Sequence, residues 1–225
     1  ARLSVDAGGL VNLVESNGLT LASFATGYGR VDALGALDSS LSDAALDDGA
    51  TTPVAIGARA GGSFTLSSGA LVVDDQVTAA DSSTVAVAGA MSLNASVVLT
   101  GAAQTLDLTA QSLTMAQGTA LQSNNGAMRI EADNSVAGSG HLTLETVNAG
   151  TAALALVADG TISDLDDASL ITASALWLDA ATGIDASGTN PLNTAVGTLA
   201  LNNTSGSVFV SDVDALSIGA GRVVP

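Results

Sequence analysis

Apolar and polar residues alternate along this chain in short bursts, and the bursts return at a nearly fixed interval. The clearest are apolar pairs with one residue between them: Phe64/Leu66, Val85/Val87, Leu106/Leu108, Met128/Ile130, Leu154/Leu156, Leu176/Leu178 and Leu199/Leu201. Successive first members lie 21, 21, 22, 26, 22 and 23 residues apart. Alternation with a period of two is the signature of a half-buried strand and not of a helix. A recurrence every few tens of residues marks a solenoid or an array.

A second apolar pair often follows after a corner of small residues. Leu71/Val73 follows Ser68-Gly69, Met91/Leu93 follows Gly89, Leu113/Met115 follows Gln111-Ser112, and Val208/Val210 follows Ser205-Gly206. Ile162 and Ile184 hold the same place after Gly160 and Gly183. A third apolar position closes each turn: Val77, Val97/Leu99, Leu121, Leu142/Leu144, Leu170, Val196 and Leu216/Ile218. The pattern predicts an all-β chain, a right-handed parallel β-helix (β-solenoid) with three sides and about 21–26 residues per rung. Asp107, Arg129, Thr143, Trp177, Asp179 and Phe209 then face outward. With ~4.8 Å between rungs, seven rungs make a rod of roughly 34 Å.

Residues 1–23, with Leu3/Val5, Val11/Leu13 and Leu19/Leu21, read as a first rung. Residues 24–60 break the pattern and read as an irregular insertion, in which Val31, Leu34, Leu37 and Leu41 have near-helical spacing. Regular rungs are expected over 61–225. Leu3-Ser4-Val5 begins in pattern and Val223-Val224-Pro225 follows just after it, so both ends are expected to meet further coils. Those coils would come from more chain or from the next copy, stacked head to tail. The start, Ala1-Arg2-Leu3-Ser4, does not read as a signal peptide.

Composition narrows the picture. Hydrophobic residues make up 47% of the chain but aromatic ones only 2%, which suits a narrow aliphatic interior. There are 22 acidic residues against 5 arginines and no lysine, giving a net charge of −17. Such a surface repels phosphate backbones and anionic lipid, so neither nucleic acid nor membrane insertion is expected. No apolar run approaches the ~20 residues of a spanning helix. The absence of cysteine excludes thiol chemistry and a disulfide framework.

Several acidic clusters could hold a divalent cation, since paired aspartates in a loop offer several oxygens. Asp164, Asp166 and Asp167 are the favoured calcium (Ca2+) candidates, although neither the glycine-rich nonapeptide repeat nor an EF-hand loop is present. No other cofactor is expected. His141 stands without a second histidine or a cysteine and reads as a corner residue. Trp177, Phe209 and Tyr28 are the candidate interaction residues. Glutamate is confined to Glu15, Glu131 and Glu145, and lysine is missing, so no enzyme chemistry is expected. A β-helix polysaccharide-degrading enzyme is the remote alternative; it would need a lateral cleft holding two carboxylates ~5–9 Å apart.

The C-terminal third carries a resemblance. Asp159-Gly160-Thr161-Ile162-Ser163-Asp164 leads to Ala175-Leu176-Trp177-Leu178-Asp179-Ala180-Ala181-Thr182-Gly183-Ile184. Then come Asn190-Pro191-Leu192-Asn193-Thr194-Ala195-Val196, Leu199-Ala200-Leu201-Asn202-Asn203-Thr204 and Ser205-Gly206-Ser207-Val208-Phe209-Val210. Over about residues 140 to 220 the chain resembles the repeat region of filamentous-haemagglutinin-like large exoproteins, which are bacterial surface adhesins. The resemblance implies a right-handed β-helix fibre, exported and displayed on the cell surface, without catalytic residues. The amino-terminal secretion module of that family is not recognisable in this chain. The expected role is a structural and adhesive segment of an extracellular bacterial surface fibre or biofilm matrix. The alternative is a discrete adhesin domain that binds host or matrix glycan.

Overall fold

The computed structural model describes residues 1–22, 56–133, 136–185 and 189–219. The chain winds as an all-β parallel solenoid of about seven stacked coils. Every strand pairing is parallel, and each strand pairs with the one about a coil earlier and the one about a coil later. Three faces result. The first is built by Phe64–Val73 in its first half, then Ser83–Val87, Leu106–Ala110, Met128–Ala132, Ala153–Ala158 and the second halves of Leu170–Ala180 and Leu192–Asn203. The second runs through Ala90–Leu93, Ser112–Met115, Leu142–Leu144, Thr161–Asp164 and Gly183–Ile184. The third runs through Gln76–Ala79, Val97–Leu99, Ala120–Gln122, Thr146–Asn148 and the first halves of Leu170–Ala180 and Leu192–Asn203.

The local sequence explains this winding. Alternation sends every second side chain inward, and parallel register stacks like on like. One inward row of the first face reads Leu66, Val85, Leu108, Ile130, Leu156, Leu178. All six are buried. Each such side chain contributes ~1.5–3 kcal/mol when it leaves water. No coil can bury its own face alone, so each relies on the coils above and below. Corners are tight: Asn124 and Asn125 both adopt left-handed backbone (φ 50° and 66°), a region asparagine tolerates. Gly126 follows them because a Cβ there would stand 1.8 Å from the Gln104 carbonyl oxygen of the preceding coil.

The structure corrects the expected register in several places. Val85 sits between Leu66 and Leu108, and Ser83 occupies the slot beside Leu106 that the sequence pattern gave to Val85. Thr84 therefore follows Thr65 by 19 residues and Asp107 follows Thr84 by 23, widening the expected range of coil length. A shift of two keeps the same face inward, so alternation could not reveal it. Small Ser83 lies beside bulky Phe64; its hydroxyl accepts the Phe64 backbone N–H at 3.0 Å and donates to the Asp81 carbonyl at 2.9 Å.

Leu142 and Leu144 belong to the second face, paired with Leu113 and Ile162, and Val147 takes the third-face position in their place. The corner before them is lengthened, so the next apolar pair falls one face early. At Leu170 the inward residue is its neighbour Ile171. Val210 lies on the third face beside Leu192, not next to Val208 on the second. Ile218 lies on the first face beside Leu199 and is 76% exposed.

Near the N-terminus, Val5–Ala7 pairs with Ile56–Ala60 on the third face, and Val11–Leu21 pairs with Phe64–Val73. Ile56–Ala60 thus already belongs to the solenoid, a few residues before the expected boundary at 61. Most of the expected insertion, with its helically spaced stretch and Tyr28, lies outside the described residues.

Candidate functional site

The outer surface of the first face carries two rows. One reads Asp107, Arg129, Ala155, Trp177, Ala200, and the other Thr109, Glu131, Val157, Asp179, Asn202. Arg129 pairs with Asp107 at 3.2 Å and with Glu131 on its own strand. Asn202 donates to Asp179 at 2.9 Å. Trp177, the chain's single tryptophan, is half-buried and stands in register between two alanines. Those alanines face outward, yet Ala155 is only 3% exposed and Ala200 only 4%. Trp177 is the bulky neighbour that the two share in register. Its Nε1–H is buried without an acceptor, a loss of about 1–3 kcal/mol for a neutral donor.

Beside this platform, along the corner that leads to the second face, runs a groove of about 290 Å³. Glu131, Asp133, Asp159 and Asp179 line it together with Val157, Ala158 and Thr204, and no arginine does. Two more unsatisfied buried polar atoms lie in the adjoining residues, Thr182 Oγ1 and Asn203 Oδ1.

A second acidic region occupies the corner between the second and third faces. Asp164 is buried, and its carboxylate accepts the Asn193 backbone N–H at 3.0 Å and the Asn190 side-chain amide. Burial raises the Asp164 carboxyl above the usual range, opposed by those hydrogen bonds and aided by Asp166 and Asp167. Asp185, also buried and in left-handed backbone (φ 41°), accepts the Asp164 backbone N–H at 3.2 Å. Burial pushes its carboxyl up to about 7, with the Asp164 charge adding to the rise and the Asp164 hydrogen bond opposing it. One coil away, buried Glu145 accepts the Ser169 hydroxyl at 2.9 Å and the Gly118 N–H at 3.2 Å.

The favoured calcium trio is therefore split between jobs. Asp164 is tied inward, whereas Asp166 accepts Gln117 Nε2 and the Ala168 N–H, both at 2.9 Å, and Asp167 is exposed. Among the described residues no three acidic, histidine or cysteine side chains gather as a cation-binding group. Phe209 lies at the C-terminal end and is 40% exposed. His141 is exposed at the start of a second-face strand, with Nδ1 2.9 Å from the Thr161 hydroxyl. Trp177 and Phe209 are not brought together by any strand pairing.

Sequence reading missed Asp185, Glu145 and the groove. A signal for the groove was present: Ala132-Asp133 and Ala158-Asp159 each close a first-face strand, so they stack at one corner. Glu145 was marked by its position at the corner between Leu142–Leu144 and Thr146–Asn148. Neither protein-family models, nor curated proteins, nor solved structures give a match to this chain. Among the described residues no helix is long and apolar enough to cross a membrane.

Proposed function

We propose that this chain is a structural and adhesive segment of an extracellular bacterial surface fibre, with no enzyme chemistry of its own. The observation that carries the reading is the continuous stack of parallel coils around aliphatic columns, an architecture that extends by adding coils. This fold is consistent with the filamentous-haemagglutinin-like resemblance, and membership of that family is part of the proposal. Support for stacking comes from the last described coil. Leu201 and Ile218 occupy inward rows yet are 41% and 76% exposed, apolar surface of the kind a neighbouring parallel coil covers. That coil belongs either to the same solenoid or to another copy stacked head to tail. The groove does hold four carboxylates, the feature named above for a polysaccharide-degrading enzyme; the lack of lysine, and the partners already held by Glu131 and Asp179, favour the non-catalytic reading.

Electron micrographs of the native material test the proposal. Fibres one coil wide, growing in steps of roughly 34 Å per seven coils, are the expected result. Uniformly dispersed short particles at every concentration would reject self-assembly. A second reading, a discrete glycan-binding adhesin domain, is favoured by one specific observation: an aromatic platform beside a polar groove on an otherwise aliphatic molecule.

A further inference from the structure

We infer that the Trp177 platform and the adjoining groove form a binding site for an amino-bearing, cationic saccharide. The inference rests on the adhesive reading and names its site and ligand class. Three observations converge. Trp177 lies on the flat outer surface of the first face, between Ala155 and Ala200, so nothing bulky in its own row flanks the indole. The groove beside it has room for about a sugar ring and is lined by four carboxylates with no arginine among them. The indole N–H has no acceptor, and Thr182 Oγ1 and Asn203 Oδ1 nearby are also unsatisfied.

Each observation selects against other ligands. An aromatic platform takes the apolar face of a sugar ring and also attracts a cation held over it. The carboxylates repel uronic and sulfated glycans and favour an ammonium group. Arg129, the nearest fixed cation, is held by Asp107 and Glu131, while Asp159 and Asp179 each give one oxygen to the Gly140 N–H and the Asn202 amide, which leaves Asp133 and their second oxygens to act on the ligand. A basic peptide would also satisfy carboxylates, but a lysine chain presents no flat apolar ring face to the indole, and oligolysine is the arm of the test that separates the two.

Because the protein holds one tryptophan, fluorescence excited selectively at the indole, beyond the absorption of its one tyrosine, reports this site alone. The whole chain is titrated with a glucosamine oligosaccharide, its N-acetylated counterpart, a heparin oligosaccharide and an oligolysine. The expected result is a saturable change in emission with the glucosamine oligomer, complete below ~1 mM. The N-acetylated form binds at least tenfold more weakly, and heparin gives no change. Asp179→Asn and Asp133→Asn each weaken the glucosamine response severalfold while circular dichroism stays unchanged; two variants are used so that one misfolding does not decide the outcome. Equal response to the N-acetylated oligomer, tighter binding of oligolysine, or silence with the glucosamine oligomer overturns the inference. A parallel glycan array separates the two levels. Silence in fluorescence with retention on the array removes this site but leaves the adhesive reading, and silence in both removes both.

Discussion

Replacing Leu156 with alanine tests the packing logic at its centre. Leu156 is fully buried and stands in an inward row between Ile130 and Leu178. The strands above and below are fixed by backbone ladders ~4.8 Å away, so they cannot close in on the space left behind. A buried leucine truncated in a site that cannot relax costs about 3–5 kcal/mol. Leu201 occupies the next position of the same row and is 41% exposed. Its truncation removes less transferred area and opens no enclosed cavity, so about 1 kcal/mol is expected. Urea denaturation followed by circular dichroism gives the comparison, and with a slope near 2 kcal/mol per molar the midpoints should separate by roughly a molar or more. Hydrogen exchange gives a second readout: in a solenoid each coil leans only on its neighbours, so Leu156→Ala should lose protection first in Met128–Ala132 and Leu170–Ala180. Equal midpoints for the two variants, or loss of protection spread evenly over the chain, would refute the argument.

Three further outcomes are expected. Asp185, with its carboxyl raised to about 7, binds its proton more tightly folded than unfolded. The stability it contributes is therefore full only below the ordinary carboxyl value of 3.8 and is lost progressively as pH rises from there to about 7. Urea midpoints at pH 5 and pH 8 should differ less in Asp185→Asn, a change that keeps the left-handed backbone and the acceptor for the Asp164 N–H; an unchanged difference would show that Asp185 does not titrate there. At Gly126 a Cβ would meet the Gln104 carbonyl at 1.8 Å, whereas at Gly18 it would meet nothing within 4 Å. Thermal melts should therefore show Gly126→Ala losing several degrees or failing to fold and Gly18→Ala nearly unchanged. Glu145→Ala removes the better acceptor of the buried Ser169 hydroxyl, which keeps only Asp166 Oδ1 at 3.5 Å, and frees the Gly118 N–H to water, for a loss of about 1 kcal/mol, and Glu145→Gln should recover much of it in the same denaturation assay.

How far the sequence could be read follows from what alternation encodes. A period of two states which side of a strand is inward, and that held at Leu106, Ile130, Leu156 and Leu178, all buried. It does not state which strand of the neighbouring coil is the partner. Ser83 shows this: a polar residue took an inward slot because Phe64 fills the space beside it, and the apparent register moved by two residues. Leu142 and Leu144 show the same at the level of faces, since nothing in the apolar pattern counts the residues absorbed by the corner before them. Trp177 was legible as an outward aromatic. Its place between Ala155 and Ala200 was not, because that depends on which residues two neighbouring coils place in register. Asp185 was invisible for a related reason: its burial comes from a corner closing over it, and corners carry no periodicity.

The same stacking explains where the charge lies. In a parallel in-register ladder every outward residue has its counterparts ~4.8 Å above and below. Two like charges at that distance repel by about 1 kcal/mol even in water, and by more beside a protein surface. A chain with 22 acidic residues must therefore keep them off consecutive rungs. The strand registers meet that demand: Asp6 stands beside Arg59, Asp107 beside Arg129, and Asp179 between Val157 and Asn202. At corners the demand is not met: Asp133 and Asp159 follow Ala132 and Ala158, which pair in register, so they stand on successive coils. Asp164 and Asp185 are the place where two of them are drawn together inside a corner, and it is there that a carboxyl is driven toward its protonated form. Charge on this solenoid is thus set by the geometry that builds its core, and the groove beside Trp177 is a corner of that kind, where four carboxylates converge on open solvent.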